Sequence, residues 1–290
     1  MKSEKNIDLK LFTLIFIALF SLSTNPILCR MAMLNENTDA VSFTILRILS
    51  GAIFLLMIYY FRYKRFDLNL KNNWLNPFML FLYAITFSYS YVDMEAGVGT
   101  LILFASVQLS MILMAVFYKE SLTFNKLFGI LIAFFGLAYL LYPNKEFTLS
   151  LFHAFLMIVS GVAWAFYTVL GKKSTNAFFN TKDNFFKATI FTIVFALFFI
   201  DSLSFDGFTL FLAIFSGVVT SALGYIIWYA VLPKIDILTA SILQLLAPVI
   251  AIFLGILFLD ETLSFELFVS TFLILLGIFI SSIKKTQKKV

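Results

Sequence analysis

Four side chains that form strong hydrogen bonds lie inside long apolar runs of this sequence: Asn25, Arg47, Gln108 and Gln244. Polar groups in such runs are costly unless they face an interior or a water-filled cavity. A guanidinium can hold an anionic group, and an amide offers both a donor and an acceptor to a zwitterionic or polar ligand. The four residues therefore predict a site that binds a small polar solute.

Each of these residues also has a structural interpretation. Arg47 lies about seven residues inside its run, roughly 10 Å from the end, so its head could reach the surface or pair with Asp39 or Glu36. Gln108 and Gln244 could equally form hydrogen bonds between helices. The sequence leaves ligand contact and a structural role open at all three positions.

Two prolines fall within comparable runs, Pro26 directly after Asn25 and Pro248 near the end of the chain. A proline inside a helix lacks an N–H and frees a backbone carbonyl. That carbonyl either lines a cavity or marks a simple kink. We expect Pro26 and Pro248 to act as hinges.

Composition excludes several classes of protein. Hydrophobic residues make up 61% of the 290 residues and charged residues 13%, with a mean hydropathy of +0.98, which excludes a water-soluble globule. The net charge of +5 is spread over too few side chains for a nucleic-acid-binding face. With one histidine, His153, and one cysteine, Cys29, we expect no metal and no cofactor. Clustered carboxylates, a Ser/His pair and a phosphate-binding glycine loop are not visible in the sequence, so an enzyme is not expected.

The apolar runs must therefore position these residues within a lipid bilayer, whose core of roughly 30 Å needs about 20 apolar residues per helix. Ten runs of 16 to 25 residues are present, which predicts an all-α integral membrane protein with ten transmembrane helices. Their boundaries are 11–29, 40–61, 74–92, 96–118, 124–142, 148–171, 185–200, 208–232, 235–259 and 265–283.

The distribution of lysine and arginine predicts the orientation. With ten spans, seventeen of these residues lie on the side of the N-terminus, and only Arg30 and Lys145 lie in loops on the other side. Cytoplasmic loops retain positive charge, so both termini are expected in the cytoplasm of a multi-pass protein of the plasma (inner) membrane.

The sequence repeats itself weakly. A shift of 141 residues superposes ESLTF at 120–124 on ETLSF at 261–265, and Gly136 on Gly277. Residues 1–145 and 146–290 are therefore expected to form two repeats of five helices each. Because five is odd, the second repeat is inverted relative to the first, as in many transporters.

Each predicted repeat has an acidic residue followed by Ser/Thr-Leu-Ser/Thr after its fourth helix, at 120–123 and 261–264. This pattern resembles the EamA-type exporters of the drug/metabolite transporter superfamily, and so do the strings GTLILFASVQLSM at 99–111, SGVAWAFYTVLGKK at 160–173 and QLLAPVIAIFLGILFLDETL at 244–263. The resemblance covers nearly the whole chain and implies alternating access around a midplane pocket. Two positions depart from the repeat, because Val107 corresponds to Pro248, and Ser23 to Trp164.

The resemblance also implies that the sixth and eighth helices line the pocket, where Trp164, Tyr167, Tyr225 and Trp228 lie. Trp164 and Tyr167 are three residues apart and share a helix face. The alternative is an aromatic belt at the membrane interface. We expect Trp164 to line the pocket, because it lies near the middle of its span.

By resemblance, the expected function is export of small organic metabolites such as amino acids. The alternative is exchange of a nucleotide sugar or phosphorylated metabolite, and a membrane enzyme or a channel is remote. None of the carboxylates is central to a span, so we expect facilitated transport, exchange, or proton coupling through a rim group such as Glu120 or Glu261. The expected partners are a small-molecule solute and the lipid bilayer, with the protein a monomer or homodimer.

Overall fold

The protein is helical throughout the part that a computed structural model describes, residues 9–68, 70–71, 73–117, 124–141, 150–235, 237–244 and 246–282, and no strand occurs there. The helices are α1 (Leu9–Met33), α2 (Ala40–Tyr63), α3 (Leu75–Ser90), α4 (Ala96–Phe117), α5 (Phe124–Leu141), α6 (Leu151–Gly171), α7 (Ala177–Ala196), α8 (Gly207–Phe215), α9 (Gly224–Val231), α10 (Ile237–Leu243), α11 (Leu246–Leu259) and α12 (Phe265–Ser282). A π-helical segment, Ser216–Leu223, joins α8 to α9. The predicted all-α class is confirmed for these residues.

Six helical stretches among the described residues are long and apolar enough to cross a membrane. They are Leu9–Met33, Ala40–Tyr63, Ala96–Met114, Leu151–Gly171, Ala177–Ser202 and Gly207–Lys234, and shorter apolar helices cover Leu127–Leu140, Leu246–Leu259 and Phe265–Gly277. The chain is therefore a multi-pass membrane protein. The count of ten spans remains a prediction, and the predicted repeat boundary at 145 lies outside the described residues.

The seventh span begins earlier than predicted, at Ala177 instead of residue 185. The Asn176 side chain caps this helix by accepting a hydrogen bond of 3.2 Å from the N–H of Phe179. The first two turns carry buried polar residues, among them Lys182 and Asn184. A search for apolar runs misses these turns because their buried face is polar.

The ninth span is broken where a single helix was predicted. The helix α10 ends at Leu243, Gln244 forms a turn, and α11 begins at Leu246. A proline ring clashes with the carbonyl of the residue four positions earlier, which for Pro248 is Gln244. The predicted hinge residue thus explains a break in the helix. Pro26, in contrast, lies inside α1 without interrupting it.

The main helix contacts have a symmetric pattern. If each helix is replaced by its counterpart in the other half of the chain, every one of these contacts becomes a contact that is also present. The helices α5 and α12 pack together, α4 packs on α11, and α2 packs on α7. The contact of α3 with α6 has its counterpart in that of α8 and α9 with α1, and the contact of α4 with α6 in that of α11 with α1. This pattern is the one expected if two similar units pack around a pseudo-twofold axis.

The loops collect at two ends of the bundle. At one, here named the Arg30 end, Asn35 donates to Asp206 Oδ2 at 2.9 Å, and Arg30 donates to the carbonyl of Tyr91 at 2.9 Å. At the other, the Lys182 end, the Lys182 ammonium donates to the carbonyl of Asp67 at 2.6 Å. Both ends are joined by polar contacts between distant parts of the chain.

Candidate functional site

Arg47 is the charged residue at the centre of the candidate site. Its side chain is completely buried, with 0% of its surface exposed, so its head does not reach the membrane surface. Its Nε donates to Ser221 Oγ at 3.0 Å, and its Nη2 donates to the hydroxyls of Tyr225 at 2.9 Å and Tyr83 at 3.3 Å. The third nitrogen, Nη1, has no hydrogen-bond partner in the part of the chain that the structure describes.

No carboxylate of the described residues pairs with Arg47. The proposed partner Asp39 instead caps α2, where its Oδ1 accepts from the N–H groups of Val41 and Ser42. Its Oδ2 accepts from the N–H of Ser204 at 3.0 Å. The guanidinium faces aromatic rings, with its Cζ 5.2 Å from the ring centre of Phe87 and 5.4 Å from that of Tyr83. Their negative faces supply part of the electrostatic compensation.

Asn25 lies beside Arg47 and binds the π-helical segment. Its Oδ1 accepts hydrogen bonds from Ser216 Oγ at 2.8 Å, from Ser221 Oγ at 3.4 Å and from the hydroxyl of Thr220. A π-helical turn often marks a functional site because it departs from the regular hydrogen-bond pattern. Here it brings three hydroxyls of the second half to one amide of the first half.

Aromatic rings complete the site. The ring centre of Trp164 lies 4.9 Å from that of Tyr83, 5.0 Å from that of Tyr225 and 5.5 Å from that of Tyr167. All four side chains are buried, so none of them belongs to an interfacial belt. We call Asn25, Arg47, Tyr83, Trp164, Tyr167, Ser221 and Tyr225 the central cluster.

The remaining predicted site residues divide into two groups. Gln244 touches the central cluster, since its Oε1 accepts from Trp164 Nε1 at 2.9 Å. Gln108 instead donates to the carbonyl of Ser241 and so links α4 to α10. Trp228 is buried, but no ring of the described residues stacks on it. Of the eight predicted contact residues, the structure brings six together.

Two members of the central cluster, Tyr83 and Ser221, were missed by the sequence analysis. Tyr83 lies in a run rich in aromatic residues, where its hydroxyl gives little signal. Ser216 and Ser221 are five residues apart, which places them on one face only if the helix widens to a π-helix. A search at the ordinary spacing of three and four residues does not relate them.

A second polar group lies at the Arg30 end. The carboxylate of Glu261 accepts from the N–H of Gly97 at 3.0 Å and from that of Ala96, and thereby caps α4. A Cβ at Gly255 would overlap this carboxylate, so a larger residue there would displace the Glu261 side chain. Next to it, a cavity of about 200 Å³ is lined by Arg30, Leu34, Glu95, Leu259, Asp260, Glu261 and Thr262.

The acidic residues of this end differ in environment. Burial, reinforced by the nearby charge of Glu261, raises the pKa of Glu95 above its ordinary value, while Arg30 acts in the opposite direction. His153 Nδ1 lies 3.5 Å from Asp93 and 2.8 Å from Ser150 Oγ. Glu120, the other predicted rim group, lies outside the described residues.

Several known proteins are similar to this chain along most of its length. The EamA-like transporter family matches residues 9–142 and 151–283, which together include nearly all of the chain. An uncharacterized protein of Pseudomonas aeruginosa is 37% identical over 271 residues, covering 93% of this chain and 94% of that protein. An uncharacterized transporter of Archaeoglobus fulgidus is 29% identical over 209 residues, covering 71% of this chain and 75% of that protein.

A solved crystal structure has the same fold, with a TM-score of 0.67 and 16% sequence identity, covering 94% of this chain and 96% of that one. The family match falls into two stretches of similar length, as the internal repeat predicts. Because the family match includes nearly the whole chain, the chain belongs to the EamA-like transporter family.

Proposed function

We propose that this protein exports small organic metabolites, such as amino acids, by alternating access around the central cluster. In this proposal it acts as a monomer or homodimer in the plasma (inner) membrane, with both termini in the cytoplasm. Its ten spans form two inverted repeats, and the contacts that interchange when the halves are exchanged support this arrangement.

The observation that carries the proposal is the origin of the central cluster in both halves of the chain. Asn25, Arg47 and Tyr83 come from α1, α2 and α3, while the rings of Trp164 and Tyr225 come from α6 and α9. A solute bound among these side chains touches both halves at once. A relative movement of the halves would therefore change which side of the membrane the solute faces.

Two irregular elements are suited to such a movement. The π-helical segment holds Asn25 and Arg47 through hydroxyls, and the break at Gln244 adjoins Trp164. Polar contacts close each end of the bundle, at Asn35 and Asp206 on one side and at Lys182 and Asp67 on the other. We infer that these two closures open alternately.

Transport is tested with purified protein in liposomes loaded with amino acids, nucleotide sugars and sugar phosphates, followed by mass spectrometry of the released solutes. The expected result is saturable efflux of unmodified solute. Trp164→Ala should abolish efflux. Phe166→Ala, which changes an exposed ring of the same helix, serves as the matched control and should retain it.

Other results contradict the proposal. If no solute leaves the liposomes faster than from protein-free liposomes, the transport function is wrong. A chemically altered solute would indicate an enzyme. A flux far above roughly 10³ solutes per second, faster than conformational cycles usually allow, would indicate a channel.

A further inference from the structure

We infer that Arg47 binds a single carboxylate of the transported solute, and that the substrates are monocarboxylates with an apolar or aromatic body. This inference rests on the proposed transport function and specifies the substrate class of the same site. It begins from the charge of Arg47, since a guanidinium stays protonated even when buried.

A buried charge is costly unless it is paired and fully hydrogen-bonded. Arg47 satisfies neither condition, because no carboxylate of the described residues contacts it and Nη1 has no partner. Hydroxyls and rings compensate a cation only in part. An anion bound at Nη1 would therefore supply both the missing charge and the missing hydrogen-bond acceptor.

The geometry of the unsatisfied nitrogen favours a carboxylate. Arginine presents its N–H groups as a planar fork that binds the two oxygens of a carboxylate side by side. Nη1 would donate to one oxygen and Nη2 to the other. In the structure, Nη2 donates to the hydroxyls of Tyr225 and Tyr83, which the carboxylate oxygen would replace as acceptors. The Tyr83 hydroxyl, which accepts from Arg47 Nη2 and from the Tyr225 hydroxyl, keeps its own O–H to donate to the same anion.

The number of cations argues against a phosphorylated solute. A phosphate dianion commonly requires more than one positive group. The other buried cations described lie at the Lys182 end, where Lys182 donates to the carbonyl of Asp67 and Lys187 to that of Asn73. Arg30 donates to the carbonyls of Tyr91 and Val92 at the opposite end. One guanidinium in the central cluster matches one negative charge.

The surroundings of Arg47 define the rest of the solute. The rings of Tyr83, Trp164, Tyr167 and Tyr225 lie within 6.0 Å of one another in neighbouring pairs. Such faces bind apolar and aromatic groups, whereas a sugar needs many directed polar contacts. A carboxylate attached to an apolar body therefore fits best.

The test measures binding and does not depend on transport. Purified protein is melted in detergent with phenylacetate, phenylalanine, the amide of each, and phenyl phosphate, and apparent affinities are derived from the concentration dependence of the melting temperature. We expect at least one of the two carboxylates to bind about 10-fold to 100-fold more tightly than its amide, as befits a charge-assisted hydrogen bond. Phenyl phosphate should bind more weakly than that carboxylate.

Variants assign the preference to Arg47. Arg47→Gln should abolish it, and Arg47→Lys should weaken it, because lysine keeps the charge but lacks the fork. Arg62→Gln removes the same charge from an exposed position of the same helix and should leave the preference unchanged. If Arg47→Gln fails to fold, the lysine variant and the comparison of ligands on the unmodified protein still decide.

The inference is overturned if neither carboxylate binds more tightly than its amide, if phenyl phosphate binds most tightly, or if Arg47→Gln keeps the carboxylate preference. These outcomes leave the transport proposal intact. Conversely, carboxylate binding without any efflux from liposomes would contradict transport and retain the anion site.

Discussion

At the scale of single residues, Asn25 forms several hydrogen bonds between the two halves of the chain. Its Oδ1 accepts from Ser216, Thr220 and Ser221, so replacing it with leucine leaves buried hydroxyls without their acceptor. Each unsatisfied group costs about 1–3 kcal/mol. We expect Asn25→Leu to lower the melting temperature by about 5 °C or more and to reduce solute efflux.

The matched control for this variant is Thr24→Val at the neighbouring position. Thr24 Oγ1 donates only within its own helix, to the carbonyl of Phe20 at 2.8 Å. Its replacement should change the free energy of unfolding by less than about 0.5 kcal/mol, so the melting temperature should stay close to that of the unmodified protein. Equal melting temperatures for Asn25→Leu and the unmodified protein would show that the contact with the π-helical segment does not stabilise the fold.

The polar members of the central cluster could be found from the sequence because they interrupt apolar runs. Arg47, Asn25 and Gln244 stand out for that reason, and the structure brings all three to one region. Tyr83 could not be found in this way, since a tyrosine counts as apolar in such a run. The role of Gln108 as a link between helices depends on the position of α10, which a linear sequence does not specify.

At the scale of elements, the break between α10 and α11 leads to a prediction about Pro248. Replacing this proline with alanine removes the ring that clashes with the Gln244 carbonyl and restores an N–H donor. A continuous helix should then form across residue 244. We expect Pro248→Ala to raise the melting temperature or leave it unchanged, while efflux from liposomes falls at least about 5-fold because the hinge is lost.

Pro77→Ala provides the control for Pro248→Ala. Pro77 lies in the first turn of α3, and the residue four positions earlier, Asn73, is not helical, so its ring causes no break. Efflux should stay near that of the unmodified protein. Retention of full efflux by Pro248→Ala would contradict the hinge role.

The cap of α4 at the Arg30 end gives a prediction about pH. Because the pKa of Glu95 is raised in the folded protein, the folded state holds this proton to a higher pH than the unfolded chain does. The resulting stabilisation is complete below the unfolded pKa of about 4.3 and is lost as the pH rises through the folded value. We therefore expect the melting temperature to fall between pH 4 and pH 7, and to fall less in Glu95→Gln than in the unmodified protein.

Glu36→Gln removes an exposed carboxylate at the same end and should keep the pH profile of the unmodified protein. Glu261→Gln should weaken the effect as well, because the charge of Glu261 contributes to raising the pKa of Glu95. Identical profiles for Glu95→Gln and the unmodified protein would mean that this carboxyl does not titrate differently on folding.

The elements themselves were largely predictable, because length and hydropathy determine which segments can enter a bilayer. The exceptions have specific causes. The start of α7 is polar on its buried face. The π-helical segment arises from packing. The break at Gln244 arises from a clash with the ring of Pro248, four residues further along the chain. Hydropathy averages over such features.

At the scale of the whole molecule, the central question is the relative orientation of the two repeats. Helix contacts that interchange when the halves are exchanged indicate a twofold relation. In an inverted pair, the loop after the first helix of each repeat lies on opposite sides of the membrane, because each repeat has five helices. In a parallel pair, the two loops would lie on the same side.

Cysteine labelling distinguishes these arrangements. Asn37 lies in the loop after α1, and Thr175 lies in the corresponding loop after α6; both are exposed. Each is replaced with cysteine in a Cys29→Ser background, although Cys29 itself is buried. From the excess of lysine and arginine, we predict that the first loop lies outside the cell and the second in the cytoplasm.

We therefore expect an impermeant maleimide to label Asn37→Cys in intact cells and to label Thr175→Cys only after the membrane is opened. Lys64→Cys, in the loop after α2, should behave as Thr175→Cys does, which controls for reagent leakage. Labelling of residues 37 and 175 from the same side would contradict inverted repeats. Alternating access would then need a different structural basis, because only inversion makes the two halves equivalent with respect to opposite faces of the membrane.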